Sequence, residues 1–395
     1  MNGLEEAQAL IEQLVAWRRD FHRHPELGLE EHRTAGIVAQ TLRELGYQVQ
    51  TGIAETGVIG LLVNGDGPVI MVRADMDALP IQEENDSAYT SQTPGVMHAC
   101  GHDAHVAMGL GVATLMAQTR DHWQGTLKLV FQPGEEGRNG AEIMVREGAL
   151  ENPRPERMLA IHVWNDLETG QVGVTPGPIM AAAEAWRATI TGRGGHAAVP
   201  EKAVDPLVAA AQIVMALQTV VSRNVGALDT AVVTVGAFKS GEAFNVIPDQ
   251  AILEGTMRTY TPEVRATVIR RVREIIEGVA TVMGCEAHFE TSALTAAVVN
   301  DAAMTALVQE VVTDLLGPQQ LIASLRTMGS EDASFFMQEV PGCFFFIGST
   351  PPGAQPVAHH NPHFDTDEAA LPIGVGVLVE ALRRLMPVRG ADAAS

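Results

Sequence analysis

Cysteine is scarce. The 395-residue chain has three, Cys100, Cys285 and Cys343, far apart and odd in number. That argues against a disulfide scaffold and for a reducing compartment. Positive charge is scarce as well: 26 Lys and Arg stand against 48 Asp and Glu, a net charge of −22. Nucleic acids and anionic membrane surfaces need a basic footprint, so neither is expected as a partner. The acidity itself reads as solubility and names no substrate. No uncharged apolar run is as long as a bilayer span. The opening Met1–Glu6 lacks the basic stretch and apolar core of a signal peptide. A cytoplasmic location is the resulting expectation. No internal repeat is visible. What is present, 46% hydrophobic and 19% charged residues, is an ordinary globular composition, in a chain long enough for two domains with their own cores.

The order of predicted elements gives the architecture. Leu10, Ile11, Leu14, Val15 and Trp17 recur at helical spacing over 4–20, and Pro25 stops that helix. A helix over about 30–45 ends at Gly46. Strands over 57–63, 68–73, 126–131 and 158–163 then alternate with helices over 103–118 and 139–147. Such alternation predicts an α/β sheet covered on both faces. Near residue 184 the rhythm changes. Strand 184–192, helix 205–223, strands 230–238 and 251–260, helix 262–283 and strand 286–291 follow in the βαββαβ order of a ferredoxin-like unit. Its edge strands could pair across a two-fold axis, so a homodimer or higher homo-oligomer is expected. Beyond about 296 the chain resumes helix, strand, helix, with a last helix over about 368–385. The expectation is a mixed-sheet α/β domain made of 1–183 and 297–395, interrupted by a smaller domain at 184–296. The tail 389–395 reads as frayed.

Chemistry concentrates at predicted strand ends. Asp75 and Asp77 follow strand 68–73, Glu135 and Glu136 follow strand 126–131, and His162 closes strand 158–163. The run Met97-His98-Ala99-Cys100-Gly101-His102-Asp103-Ala104-His105 precedes a helix, and His359-His360-Asn361-Pro362-His363-Phe364-Asp365 is a second dense run. Thiolate, imidazole and carboxylate are the ligand set of zinc and similar metals. A carboxylate left beside such a site is a candidate general base. Singly, each has a plainer reading. A Glu-Glu pair is usually a solvated face, Asp75 and Asp77 suit a turn and an N-cap, His162 suits a satisfied core position, and Cys100 suits an inert buried thiol. Concurrence across separate segments favours a metal-dependent hydrolase. A thiol protease built on Cys100 fits less well, because its base normally comes from a distant segment and Glu135-Glu136 would have no task. A binding protein with a structural metal fits less well too, since such a site closes on four ligands with no spare carboxylate.

The inserted domain has its own cluster. Thr191-Gly192-Arg193-Gly194-Gly195-His196-Ala197-Ala198 sets a histidine among glycines, either as a tight connection or as a group that holds an oxyanion. Asn245 is a candidate amide donor and Arg258 a candidate clamp for a substrate carboxylate, with exposure on a strand the plainer reading of Arg258.

Assembled, these residues resemble the metal-dependent amidohydrolases that include hippurate hydrolases, N-acyl-L-amino acid amidohydrolases and plant auxin-conjugate hydrolases, relatives of carboxypeptidase G and aminoacylase. The likeness runs from Arg18-Arg19-Asp20-Phe21-His22-Arg23-His24-Pro25-Glu26 to Asn361-Pro362-His363-Phe364-Asp365. Between them it includes Arg73-Ala74-Asp75-Met76-Asp77-Ala78-Leu79-Pro80, Met97–Asp103, Phe131–Glu136 and Met328-Gly329-Ser330-Glu331-Asp332. The resemblance implies two divalent ions (Zn, Mn, Co or Ni) liganded by Cys100, His102, Glu136, His162 and His360, with Glu135 as general base. It makes 184–296 a lid and dimerisation domain; in relatives of this fold a lid histidine reaches the site from the partner subunit, and His196 occupies the matching position, acting in its own subunit or in the partner's. Asp75 and Asp77 then support the ligands. Ala333 stands where many relatives carry an aromatic residue, so the pocket differs there. The expected reaction is hydrolysis of an N-acyl or N-aroyl amino acid to a carboxylic acid and a free amino acid. The alternative is a dipeptidase, an aminopeptidase or a deacetylase of an N-acetylated biosynthetic intermediate on the same scaffold.

Overall fold

The computed structural model describes residues 1–388; the tail 389–395 lies outside the described residues. The chain divides into two compact units. One comprises residues 1–177, 299–326 and the described residues from Asp332; the other comprises 178–298 and 327–331. Residues 178–183, 297–298 and 327–331, which the sequence pattern groups with the first unit, go with the second. Backbone bonds from Thr327 to Ile179 and from Ala181 to Gly329 hold 178–183 and 327–331 to each other.

The first unit is built on an eight-stranded mixed sheet. Its strands lie in the order Gln48–Ile53, Gly57–Asn64, Gly125–Gln132, Val69–Asp75, Arg157–Glu168, Gly342–Thr350, Val172–Gly173, Leu321–Ile322. The four from Gly125–Gln132 to Gly342–Thr350 run parallel, and the two strands at the Gln48 edge are antiparallel. Successive strand residues face opposite sides. All nine residues of Gly342–Thr350 are buried, so both faces of the sheet are covered there. The helix His102–Gln118 is buried over nearly its whole length, as its all-round apolar sequence requires. The predicted helix over 4–20 is two helices, Gly3–Ala9 and Ile11–Arg23. Leu10 leaves helical geometry and closes the first by donating to Ala7 O.

The second unit has the expected βαββαβ order. Its antiparallel sheet runs Ala231–Ser240, Gln250–Thr259, Ala182–Thr191, Glu286–Thr295. Helices Pro206–Asn224 and Pro262–Val282 begin at Asp205 and Thr261, whose side chains cap backbone N–H groups ahead of a proline in the first turn. Ile213, Leu217, Val268, Val272 and Ile276 pack on Trp186, Ala188, Ile190 and Leu253. Helix Pro206–Asn224, whose uncharged run ends at Arg223, is long and apolar enough to cross a membrane by length and composition alone. Its apolarity has a local cause: Ala209, Ala210, Ile213, Leu217 and Val220 are buried in this unit's core.

One buried ion-pair network ties helix Ile11–Arg23 to helix His102–Gln118, which follows Cys100. Arg18 Nε donates to Asp103 at 2.9 Å, both side chains being fully buried. His22 Nδ1 lies 2.7 Å from the same carboxylate. Burial works against charge on His22, but Asp103 and Glu83 outweigh it and raise its pKa to about 9. Removing one partner of such a pair strands the other. Arg18→Leu is therefore expected to cost about 3–5 kcal/mol in denaturant unfolding. Arg18→Leu/Asp103→Leu should recover part of that loss; a double variant as unstable as the sum of the singles would count against the pairing.

Candidate metal centre

The parallel strands end at one edge of the sheet, and the suspected residues gather beyond it. Asp75 ends its strand and Asp77 lies two residues on; Glu135 and Glu136 follow Gln132. Glu31 and Asp332 hold that second loop. Glu31 accepts from Gly134 N–H at 2.9 Å, while Asp332 accepts from Gln132 Nε2 at 2.6 Å and from Ala141 N–H at 2.9 Å. Burial pushes Glu31 up to about 7.

Cys100 and His102 flank Gly101, the N-cap of the helix, at φ 89°. A β-carbon on Gly101 would lie 2.3 Å from Val163 Cγ2, so only glycine lets this turn sit against the strand that carries His162. His360 also has a left-handed backbone, at φ 63°, which is uncommon for a residue with a side chain.

Ligand atoms of Cys100, His102 and His162 lie within 4.8 Å of one another, as do those of Cys100, Glu136 and His360, and those of His102, Glu135 and Glu136. Cys100, His102 and Glu136 each belong to two of these groups, so the six residues form one continuous cluster. His162 Nε2 is 3.5 Å from Cys100 Sγ, and His360 Nε2 is 3.1 Å from Glu136 Oε1.

The imidazoles are oriented by their second nitrogens. His102 Nδ1 donates to Asp77 O at 2.9 Å and lies 3.2 Å from Asp77 Oδ1. His162 Nδ1 donates to Val163 O at 2.6 Å. A carbonyl can only accept, so in each ring Nδ1 carries the proton and Nε2 is left to coordinate. Asp77 reaches further, since its Oδ2 accepts from Glu136 N–H at 2.8 Å. Among the described residues His102 Nε2 is buried with no hydrogen-bond partner, and Glu136 Oε1, also buried, meets only His360 Nε2. Donor atoms stranded in this way are costly in an apolar interior, and a cation would satisfy them. The donor set of thiolate, imidazole and carboxylate suits zinc, manganese, cobalt or nickel.

The charges agree with this arrangement. Burial alone would raise Asp75, but the Arg73 guanidinium and then His102 and His105 hold its carboxyl well below the ordinary range. Burial lowers His162 well below its usual value. Bonds to Cys100 and then Glu136 raise His360 to about 10. Burial, with Glu136 nearby, pushes the Cys100 thiol up.

Two neighbouring histidines fall outside the expected ligand set. His359 Nδ1 lies 3.8 Å from Cys100 Sγ, and its ring packs against Trp164 and Phe364. His105 bonds to Asp75 and to Val163 N–H. Its spacing of three residues from His102 on one helix was the available signal. Nothing in the local sequence marks Glu31.

The remaining predicted residues belong to the second unit. His196 is exposed and pairs with Val246 in a two-stranded ribbon, next to Asn245, whose carbonyl accepts from Ala197 N–H at 3.2 Å. Ala198 N–H donates to His196 Nδ1 at 3.1 Å, which leaves Nε2–H as the ring's donor. Arg258 lies in the four-stranded sheet instead. It is not simply exposed: its Nη1 is buried without a partner among the described residues, and burial lowers its pKa.

The family model for peptidase family M20/M25/M40 matches residues 71–384. The chain is 40% identical to the IAA-amino acid hydrolase ILR1-like 4 of Arabidopsis thaliana, over 92% of this chain and 83% of that protein. It is 36% identical to the N-acetyl-L-cysteine deacetylase of Bacillus subtilis, over 95% of this chain and 89% of that protein. A crystal structure of the Bacillus subtilis YXEP protein, described as a dinuclear metal-binding peptidase of the M20 family, superposes with a TM-score of 0.84 at 34% identity. That match covers 96% of this chain and 99% of the other.

A raised thiol pKa has a direct consequence. In metal-free protein Cys100 should react with iodoacetamide more slowly than free cysteine at pH 7.5, as followed by mass spectrometry. Alkylation faster than free cysteine would revive the thiol-nucleophile reading.

Proposed function

The chain belongs to peptidase family M20/M25/M40 and is a metal-dependent amide hydrolase, and we propose that it cleaves the amide of an N-acyl or N-aroyl amino acid to a carboxylic acid and a free amino acid. The observation that carries this reading is the cluster of Cys100, His102, Glu136, His162 and His360 with a further carboxylate, Glu135, beside it. Relatives named for an IAA-amino acid and for N-acetyl-L-cysteine share one bond type, an acyl group on the amine of an amino acid.

In this reading the five residues hold two divalent ions. Ions so held supply Lewis acidity and lower the pKa of water. Glu135 takes the proton of the attacking water and then delivers it to the leaving amine. Asp77 keeps His102 and the Glu136 backbone in register for that work. His196, with Nε2–H as its donor, holds the developing oxyanion, and Asn245 and Arg258 receive the substrate carbonyl or carboxylate. Arg258 suits a carboxylate because its Nη1 is already buried and has no partner among the described residues.

A homodimer through the second unit is part of the same reading. Strand Ala231–Ser240 is a sheet edge, and helix Pro206–Asn224 exposes Leu207, Val208, Met215 and Val221 on the side away from its core. His196 then acts on the partner's substrate. The three widely separated cysteines support a reducing, cytoplasmic setting for this enzyme of small molecules.

Glu135→Gln is expected to keep its bound metal, measured by elemental analysis, and to lose about 10²–10⁴-fold in turnover. Unchanged turnover would remove Glu135 from the base role. After metal stripping and add-back, an N-benzoyl and an N-acetyl amino acid should be hydrolysed and a plain dipeptide left largely intact. Preference for the dipeptide would move the chain to the peptidases of its family.

A further inference from the structure

Asp75, His102 and His105 also bring ligand atoms within 4.8 Å of one another, all three buried. By donor type alone His105 would count as another ligand. Its hydrogen bonds exclude that. A backbone N–H can only donate, and Val163 N–H points at His105 Nε2 at 2.9 Å. The Nε2 lone pair is therefore used, and the ring proton sits on Nδ1. Nδ1 donates to Asp75 Oδ1 at 2.5 Å, and Asp75 is itself held by Arg73 Nη1 at 2.6 Å. Neither ring nitrogen has a lone pair left for a metal.

What these bonds do is fix Val163. The N–H that His105 receives belongs to the peptide joining His162 to Val163. The carbonyl of Val163 receives His162 Nδ1–H at 2.6 Å. The Val163 side chain lies where a β-carbon of Gly101 would be, against the Cys100–His102 turn. Val163 thus packs the strand that carries His162 against the turn that carries Cys100 and His102, and His105 anchors it to the end of the Val69–Asp75 strand. The rings add contact: His105 stacks on His102 with centroids 5.4 Å apart and meets His162 edge-on at 4.6 Å.

We propose that His105, held by Asp75, is a positioning residue that sets the aim of His162 Nε2 through the backbone N–H and C=O of Val163 and takes no part in coordination. The proposal rests on the reading of His162 as a metal ligand. A relay and a mere packing role respond differently to substitution. In His105→Gln the side-chain amide oxygen can take the place of Nε2 and accept from Val163 N–H. In His105→Phe the ring volume is kept and the acceptor is lost.

The test measures zinc affinity by chelator competition in the full-length protein, for wild type, His162→Ala, His105→Gln and His105→Phe, with thermal unfolding of each metal-free variant as the folding control. His105→Phe should bind zinc about 10–100-fold more weakly, the range for losing a group that orients a ligand, and His105→Gln should stay well above it. Phe equal to wild type, or Gln no better than Phe, overturns the relay while leaving His162 as a ligand. Wild-type affinity in His162→Ala overturns the ligand reading itself. Where a variant does not fold, ¹⁵N-histidine spectra of the wild-type protein decide. The proposal expects a protonated Nδ1 on His105 and an Nε2 that does not take a metal-bound shift on zinc addition, whereas Nε2 of His102 and His162 does. A metal-bound shift at His105 Nε2 overturns it.

Discussion

Burying charged and lone-pair groups is the constraint on which the first unit depends. A carboxylate or imidazole taken out of water must be paired, or it neutralises or destabilises the fold. Arg18, Arg73, Asp75, Asp103, His102 and His105 are all fully buried. Each is held by a partner contributed from another segment: Arg18 by Asp103, Arg73 by Gln132 and Asp332, His105 by Asp75 and Val163 N–H. The apolar sheet and the helix His102–Gln118 supply the dry surroundings, and the polar network supplies the order within them.

That order explains why the candidate centre leaves particular atoms bare. Asp77 O and Val163 O consume the Nδ1 protons of His102 and His162, so the opposite nitrogens face the cluster. The Asp77 carboxylate joins the His102 ring to the Glu135–Glu136 loop, while Glu31 and Asp332 brace that loop from its other sides. Preorganisation of this kind lowers the cost of gathering donors from four stretches of chain, because most of their freedom is already lost when the protein folds. The second unit solves a different problem. It is a sheet with helices on one face, and it displays His196 and Asn245 side by side on a short ribbon.

Much of this was legible from residues alone. The switch from strand–helix alternation to βαββαβ is a matter of hydrophobic period, and Asp205-Pro206 and Thr261-Pro262 announce their helices through capping chemistry. The ligand-type residues stood out because parallel strands end in loops, where apolar periodicity stops and polar residues are otherwise unexplained. Other features were not legible. The break at Leu10 has no proline or glycine to mark it. Arg258 reads as a surface residue on its strand until neighbouring groups cover its guanidinium. Glu31, in a polar stretch ahead of a helix, has no local sign of the Gly134 and Thr56 partners that meet it.

The sequence by itself determined the fold class and the kinds of donor atom available, because both follow from local pattern: period, caps, and the clustering of thiol, imidazole and carboxylate. Tertiary structure decided which of those donors are used and which are spent. His102 and His105 lie three residues apart on one helix and are chemically identical, yet one keeps a bare Nε2 and the other gives both nitrogens away. The difference lies in Asp77, Asp75 and Val163, groups brought against the two rings only when the strands align, and no local reading of the chain contains that alignment.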